Sequence, residues 1–255
     1  MMSSWTGFRT LIWREVFRFL SVISQTVFPP LVSSFLFILI FGLSLGTRID
    51  EVQGMPYLHF LIPGMIMMHV IEGAYANTSS SLFISRWANN IEELLVTPLS
   101  YFEMVLAMLL GGLARSLVTA FGVWGVSLFF ARVPVAHPAA TLFFLIFVSL
   151  IFSAAGMIAA LFSEEFEHLT LATTFFITPL VFLGGVFHSI TMVPASLKVL
   201  TSWNPIFYMV DGMRYGMLGT SDVESATCVT VVLVIFTGLF LYTVYLFRTG
   251  YKLRK

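Results

Sequence analysis

The sequence predicts an all-α polytopic membrane protein with six transmembrane helices, an N-terminal amphipathic interfacial helix and, between spans five and six, a broken stretch of two half-length helices. Three observations carry this expectation. Hydrophobic residues make up 58% of the 255 and charged residues only 10%, against about 25% charged in soluble proteins. Six apolar runs are each long enough for the ~20 residues a helix needs to cross ~30 Å of hydrocarbon. Thr178 to Gly219 is also mostly apolar, yet Pro194, Asn204-Pro205, Gly212 and Gly216 cut it into pieces too short to span. Half-length helices at membrane depth persist only where protein or a water-filled cavity shelters them.

Residues 5–20 form the interfacial helix. Trp5, Phe8, Ile12, Val16 and Phe19 recur at helical spacing, with Arg14 and Arg18 on the far side. The apolar face is expected in the bilayer surface and the cations toward headgroups and water. Arg9, Arg14, Glu15 and Arg18 interrupt any signal-peptide core there. The first span, Phe28 to Leu45, lies in the uncharged run between Arg18 and Arg48, with Pro29-Pro30 near its start, where a missing donor costs least. The polar piece Thr47 to Gly54 leads to the second span, Leu58 to Leu82, which carries Pro63-Gly64 in its first turns and Glu72 at its middle. A charged connection over 83–100 precedes the third span, Phe102 to Phe130, where Gly111, Gly112, Ala114 and Gly122 allow close helix approach. Arg132 to His137 is a turn. The fourth span is Leu142 to Phe162, the acidic connection Glu164, Glu165 and Glu167 follows, and Leu169 to Val186 is the fifth. The sixth is Val229 to Phe247, and the tail carries Arg248, Lys252, Arg254 and Lys255.

An even number of spans puts both termini on one side. The N-terminal segment, Arg86 and the tail hold eight of the thirteen basic residues, while Arg48, Arg132, Lys198 and Arg214 fall opposite and Arg115 lies within the membrane. The bias of Lys and Arg toward cytoplasmic segments therefore predicts that both termini are cytoplasmic.

Several function classes are disfavoured. No GxxxxGK[ST] loop occurs, so no nucleotide is expected to be held by that route. There is no Cys/His metal cluster and no nucleophile elbow, so neither a metal site nor a catalytic residue is expected. Net charge is zero, which gives no field for nucleic acid. The lone Cys228 sits in an apolar run as a lipid-facing or packed thiol.

The polar residues inside the apolar spans are the candidates for function. His69, Glu72, Ala76 and Ser79/Ser80 share a face of the second span. By residue count, Glu72 and Arg115 on the third span both fall near the midplane, and pairing with each other, within one protomer or across a dimer, is the simplest way to offset their burial. His69 and Glu72 alone make a poor metal site. Asp211 and Arg214, three residues apart, suggest a local ion pair. In the 83–100 connection, Asn90 precedes charged Glu92 and Glu93 and apolar Leu94, Leu95 and Val96, and Pro98 stops the helix; a partner-docking helix and a solvated loop both fit. Phe176, Phe182 and Phe187 suit packing or an aromatic constriction.

The order and spacing of these pieces resemble the ABC-2 type export permeases, in particular their YadH-like bacterial branch, with nodulation-factor exporter permeases as relatives. The resemblance rests on Leu61 to Met68, Ala74 to Asn77, Asn90 to Pro98, Pro179, Leu183-Gly184-Gly185-Val186-Phe187, Pro194, Leu197, Asn204-Pro205, Tyr208, Asp211 and Arg214. It implies that 1–255 is one ABC-2 type transmembrane domain, with 187–219 a re-entrant helical hairpin on the outer side between spans five and six. It further implies a homodimer of permeases, surrounded by membrane lipids, with two copies of a separate ABC ATPase that carries ATP and Mg. Asn90, Glu92, Glu93, Leu94, Leu95 and Pro98 would couple to that ATPase, and the N-terminal helix would lean on it. Gly184, Gly185, Phe187, Pro194, Asn204, Pro205, Asp211 and Arg214 would shape the outer exit. The cargo implied is an amphiphile (lipid, glycolipid, oligosaccharide or hydrophobic toxin) leaving across a bacterial inner membrane. The alternative is an ion-coupled secondary transporter using His69, Glu72 and Arg115.

Overall fold

A computed structural model describes residues 4–44, 51–52 and 54–253. Arg48, Arg254, Lys255 and most of the polar piece after the first span lie outside the described residues. Among those described are twelve α-helices: α1 (Ser4–Leu20), α2 (Ile23–Thr26), α3 (Phe28–Ser44), α4 (Tyr57–Trp87), α5 (Ile91–Leu95), α6 (Tyr101–Ser127), α7 (Pro138–Phe162), α8 (Phe166–Ala172), α9 (Thr178–Leu183), α10 (Ala195–Trp203), α11 (Pro205–Leu218) and α12 (Ser225–Thr249). Six stretches are long and apolar enough to cross a membrane: Ile23–Gly42, α4, α6, α7, Phe166–Leu183 and α12. One departure from an all-helical chain is a two-stranded antiparallel hairpin, β1 (Glu51–Val52) with β2 (Met55–Pro56), just before α4.

The core is built around α4. Its most apolar window is 83% buried, whereas the first, fifth and sixth spans are each 17% buried. α4 packs chiefly on α7 and α6, and small or hydroxyl side chains set those contacts. A Cβ at Gly156 would meet the Tyr75 carbonyl at 2.6 Å. Thr78 Oγ1 donates to the Ser153 carbonyl at 2.7 Å and Ser116 Oγ to that of Val70 at 3.2 Å. In lipid no hydrophobic force separates these helices from the solvent, so close packing and interhelical hydrogen bonds do that work.

The fifth span is α8 and α9 joined by a π-helical turn, Thr173–Ile177. Pro179 explains its place. It has no N–H for the Phe175 carbonyl four residues back, and its ring would crowd that carbonyl, so the wider turn relieves both.

α1 departs from its expected orientation. Leu11, Glu15 and Phe19 form the buried stripe, while Trp5, Trp13 and Phe17 are exposed. α1 lies along α6, and Arg18 turns inward rather than toward water.

The stretch after the fifth span is two short helices, and they differ. α10 leaves Leu197, Val199, Leu200 and Trp203 exposed. α11 is buried against α7, α4 and α12. Its ends are set locally: Asn204 Oδ1 accepts from the Ile206 N–H at 3.0 Å, Pro205 fills the first turn, and Gly219 closes it at φ 77°. A side chain at Gly212 would overlap the Phe144 ring, and a Cβ at Gly216 would meet Thr141 Oγ1 at 2.6 Å.

Candidate functional site

Two polar clusters grip opposite ends of α4, and a short exposed helix follows it. At the end nearer α1, Glu15 is 1% exposed. It enters a notch on α6 where a Cβ at Gly111 would lie 2.5 Å from its own Cβ. Its carboxylate accepts from Ser81 Oγ at 2.7 Å and pairs with Arg14 at 3.0 Å and Arg18 at 3.5 Å. Arg18 donates to the Asn77 carbonyl at 2.6 Å, to Asn77 Oδ1 at 2.9 Å and to Ser80 Oγ at 3.3 Å. Burial pushes the Arg18 guanidinium below its ordinary value, and the Glu15 carboxylate acts against that shift.

At the other end the cluster is built on α11. Asp211 accepts from the backbone N–H groups of Asp222 and Val223 at 2.8 and 2.9 Å, closing the turn before α12. Asp222 in turn accepts from Ser189 Oγ at 2.7 Å and the Ile190 N–H at 3.2 Å. Arg214 is fully buried. It donates to the carbonyls of Gly185 and Val186 and stacks 3.7 Å over the Phe60 ring of α4. Gly185 has φ +81°, a left-handed conformation that suits glycine. Tyr57 donates its hydroxyl to the Phe187 carbonyl at 3.0 Å, and a Cβ at Gly64 would meet the Val186 carbonyl at 2.6 Å. The expected local ion pair between Asp211 and Arg214 is absent; each fastens a different connection to α11. His188 is half-buried here; burial and the Arg214 charge hold its imidazole below the ordinary value, with Asp222 opposing.

Gly184 is buried against Ile206, and Asn204 reaches back to donate to the Leu180 carbonyl at 2.6 Å. Pro194 and Pro205 start α10 and α11. Phe187 stacks on Phe41 and meets the tilted rings of Phe37 and Phe182, all at 5.4–5.7 Å, joining the first span to the end of the fifth, while Phe176 is exposed. Cys228 is the packed thiol, buried 3.9 Å from Asp211 Oδ2.

Glu72 and Arg115 do not meet within the chain. Glu72 faces His69 at 3.5 Å and is partly exposed. Arg115 donates to the Thr26 carbonyl at 3.5 Å. Counting residues along straight helices put both at one depth but left out rotation about the helix axis, and that rotation separates them.

In the connection after α4, α5 rests on Ile91 and Leu94, which are buried with Leu99, Leu11 and Leu82. Asn90, Glu92, Glu93, Pro98 and above all Val96, 84% exposed, point outward, with Leu95 between the two faces. The outward apolar contact is therefore Val96 with Leu95, and Leu94 belongs to the core. Ser100 and Glu103 close this segment with a capping box at the start of α6.

The inner face of α1 was the feature sequence reasoning missed. Its signal was present: Glu15 is spaced four residues from both Leu11 and Phe19, so it shares their stripe.

Six apolar helices long enough to span, a further helix before them, an exposed short helix after the second and a broken pair before the sixth describe a multi-pass membrane protein. Residues 6–218 match the ABC-2 type transporter family, and the chain belongs to that family. It is 38% identical over 250 residues to the inner membrane transport permease YadH of Escherichia coli (strain K12), covering 98% of each chain. It is also 26% identical over 209 residues to Nodulation protein J of Sinorhizobium fredii, 78% of each, and 28% over 212 residues to that of Bradyrhizobium diazoefficiens, 79% of each. Family membership with six apolar helices makes this an inner-membrane, multi-pass transport permease and implies an ABC ATPase partner. It does not favour the ion-coupled alternative.

Proposed function

We propose that the chain is the membrane half of an ATP-driven exporter. Two copies assemble with two copies of a separate ABC ATPase that binds ATP and Mg. The cargo is an amphiphile such as a lipid, glycolipid, oligosaccharide or hydrophobic toxin, and it leaves across the bacterial inner membrane. Both termini and α5 face the cytoplasm, in keeping with the bias of basic residues toward that side. The pair α10–α11 lies on the outer side as a re-entrant hairpin.

The observation that carries this reading is the construction of α5. Its inner face is fixed in the same core as α1, α4 and α6, while Glu92, Glu93, Val96 and Pro98 are presented outward. A push on α5 is therefore transmitted to two of the best buried spans. Leu95→Asp with Val96→Asp should leave the permease in the membrane and remove the co-purifying ATPase. An unchanged ATPase-to-permease ratio would overturn the coupling role. Cysteines at Ser196, which is exposed, and Ser221 should both be labelled only from outside the cell; cytoplasmic labelling of either would overturn the re-entrant placement.

A further inference from the structure

Arg115 is an arginine inside a span with no carboxylate beside it. Among the described residues its hydrogen bonding consists of the 3.5 Å bond to the Thr26 carbonyl, and its Nε is buried without a partner. Arg18, another cation, is close enough to repel it. Asn77 Nδ2 is likewise buried without a hydrogen-bond partner, and it is a donor, while Arg18 Nε faces Glu15 Oε2 at 3.5 Å. Arg115 follows Gly111 by four residues, so it sits one turn above the notch that receives Glu15, on the same face of α6. Arg14, Arg18 and Arg115 then bring three positive charges to the one negative charge of Glu15. A guanidinium at membrane depth without an anion is costly, and a planar fork of donors matches a phosphate well.

The surroundings indicate what kind of anion fits. Thr26 lies at the beginning of the first span, close to the turn that follows α1. Arg115 thus lies beside the start of the first span, close to where α1 ends. Val22 and Ile23 at that turn, and Val118 three residues beyond Arg115, are exposed apolar side chains. Cationic donors below an exposed apolar rim have the polarity of a lipid near its headgroup.

We propose that Arg115, with Arg18 and Asn77 beside it, binds the phosphate of a phospholipid in the leaflet next to α1, the acyl chains lying against Val118 and the α1–α2 turn. This is a resident-lipid site and stands independently of which cargo the permease moves or in which direction. The shared chemistry is a phosphate oxyanion, which free phosphate could also supply, so the experiment separates the two sources.

The delipidated full-length permease in detergent is heated with phosphatidylglycerol, with diacylglycerol of the same chains, or with inorganic phosphate. Phosphatidylglycerol should raise the unfolding temperature by several degrees and the other two should not. Arg115→Gln should lose most of that shift and Arg115→Lys should keep part of it. An equal shift from diacylglycerol or from inorganic phosphate overturns the proposal, as does a full shift in Arg115→Gln. Should Arg115→Gln fail to fold, the wild-type chain still decides. Phosphatidylglycerol with a photoreactive group near its phosphate should label residues around 22–26 and 115–118, and labelling confined to other spans overturns the site.

Discussion

Two helices outside the six candidate spans, α1 and α11, lean on opposite ends of the same buried span, and they are fastened differently. α11 is held by backbone: Asp211 takes two N–H groups, Arg214 serves two carbonyls, and Gly212 and Gly216 bring its main chain against α7. α1 is held largely by side chains, through Glu15, Arg18, Ser80, Ser81 and the Asn77 amide, with one backbone carbonyl among the acceptors. Backbone partners cannot change rotamer, whereas a side-chain network can rearrange. The contrast teaches that the α11 end is built to stay fixed and the α1 end can slide or tilt at smaller cost.

The largest expected effect is at the fixed end. Gly212→Val drives a branched side chain into the Phe144 ring, and overpacking of this kind costs about 1–3 kcal/mol or more. Arg214→Leu removes two charge-assisted hydrogen bonds, each worth roughly 1.5–3 kcal/mol. Either should lower the unfolding temperature of the solubilised permease more than any substitution in α1. Next comes Glu15→Ala, which leaves Ser81 without its acceptor and Arg18 without its counter-charge at a cost of about 1–3 kcal/mol. It should also raise proteolytic cleavage within residues 4–20. If Glu15→Ala proved as damaging as Arg214→Leu, the two ends would be equally rigid and the contrast would fail.

A smaller effect concerns Glu72 and Arg115. Because Glu72 meets His69 instead, the losses from Glu72→Gln and Arg115→Gln should add in the double variant to within about 0.5 kcal/mol. Recovery in the double variant would show that the two meet across a dimer. The smallest is a pH effect at His188. Its folded value lies below the ordinary value near ~6.5, so the unfolded chain binds its proton more readily. Stability should therefore be intact above about pH 6.5 and fall as pH is lowered through the folded value, with His188→Gln flattening the slope. The group is half-exposed, so the change should be slight.

The spans were legible because apolar run length needs no partner to interpret. The breaks at Pro194, Asn204-Pro205 and Gly219 were legible because Pro, Asn and Gly act through their own backbone. The contacts of the charged residues were not. Asp211 and Arg214 stand three apart and looked like a pair, but each faced a connection that folds back from elsewhere in the chain. Leu94 and Val96 both read as an apolar docking face, and only the packing of α1 and α6 on α5 decided which one points out.

The π-helical turn at Thr173–Ile177 also bears on how the fifth span can move. A wide turn of this kind holds one residue more than an α-turn, and that surplus passes along a helix whenever neighbouring N–H groups exchange carbonyls. Pro179 has no N–H to exchange, so the surplus cannot pass it. The fifth span behaves as a rod with a stop fixed in it: register can shift on the α8 side, while α9 and everything fastened to it through Asn204 keep their phase.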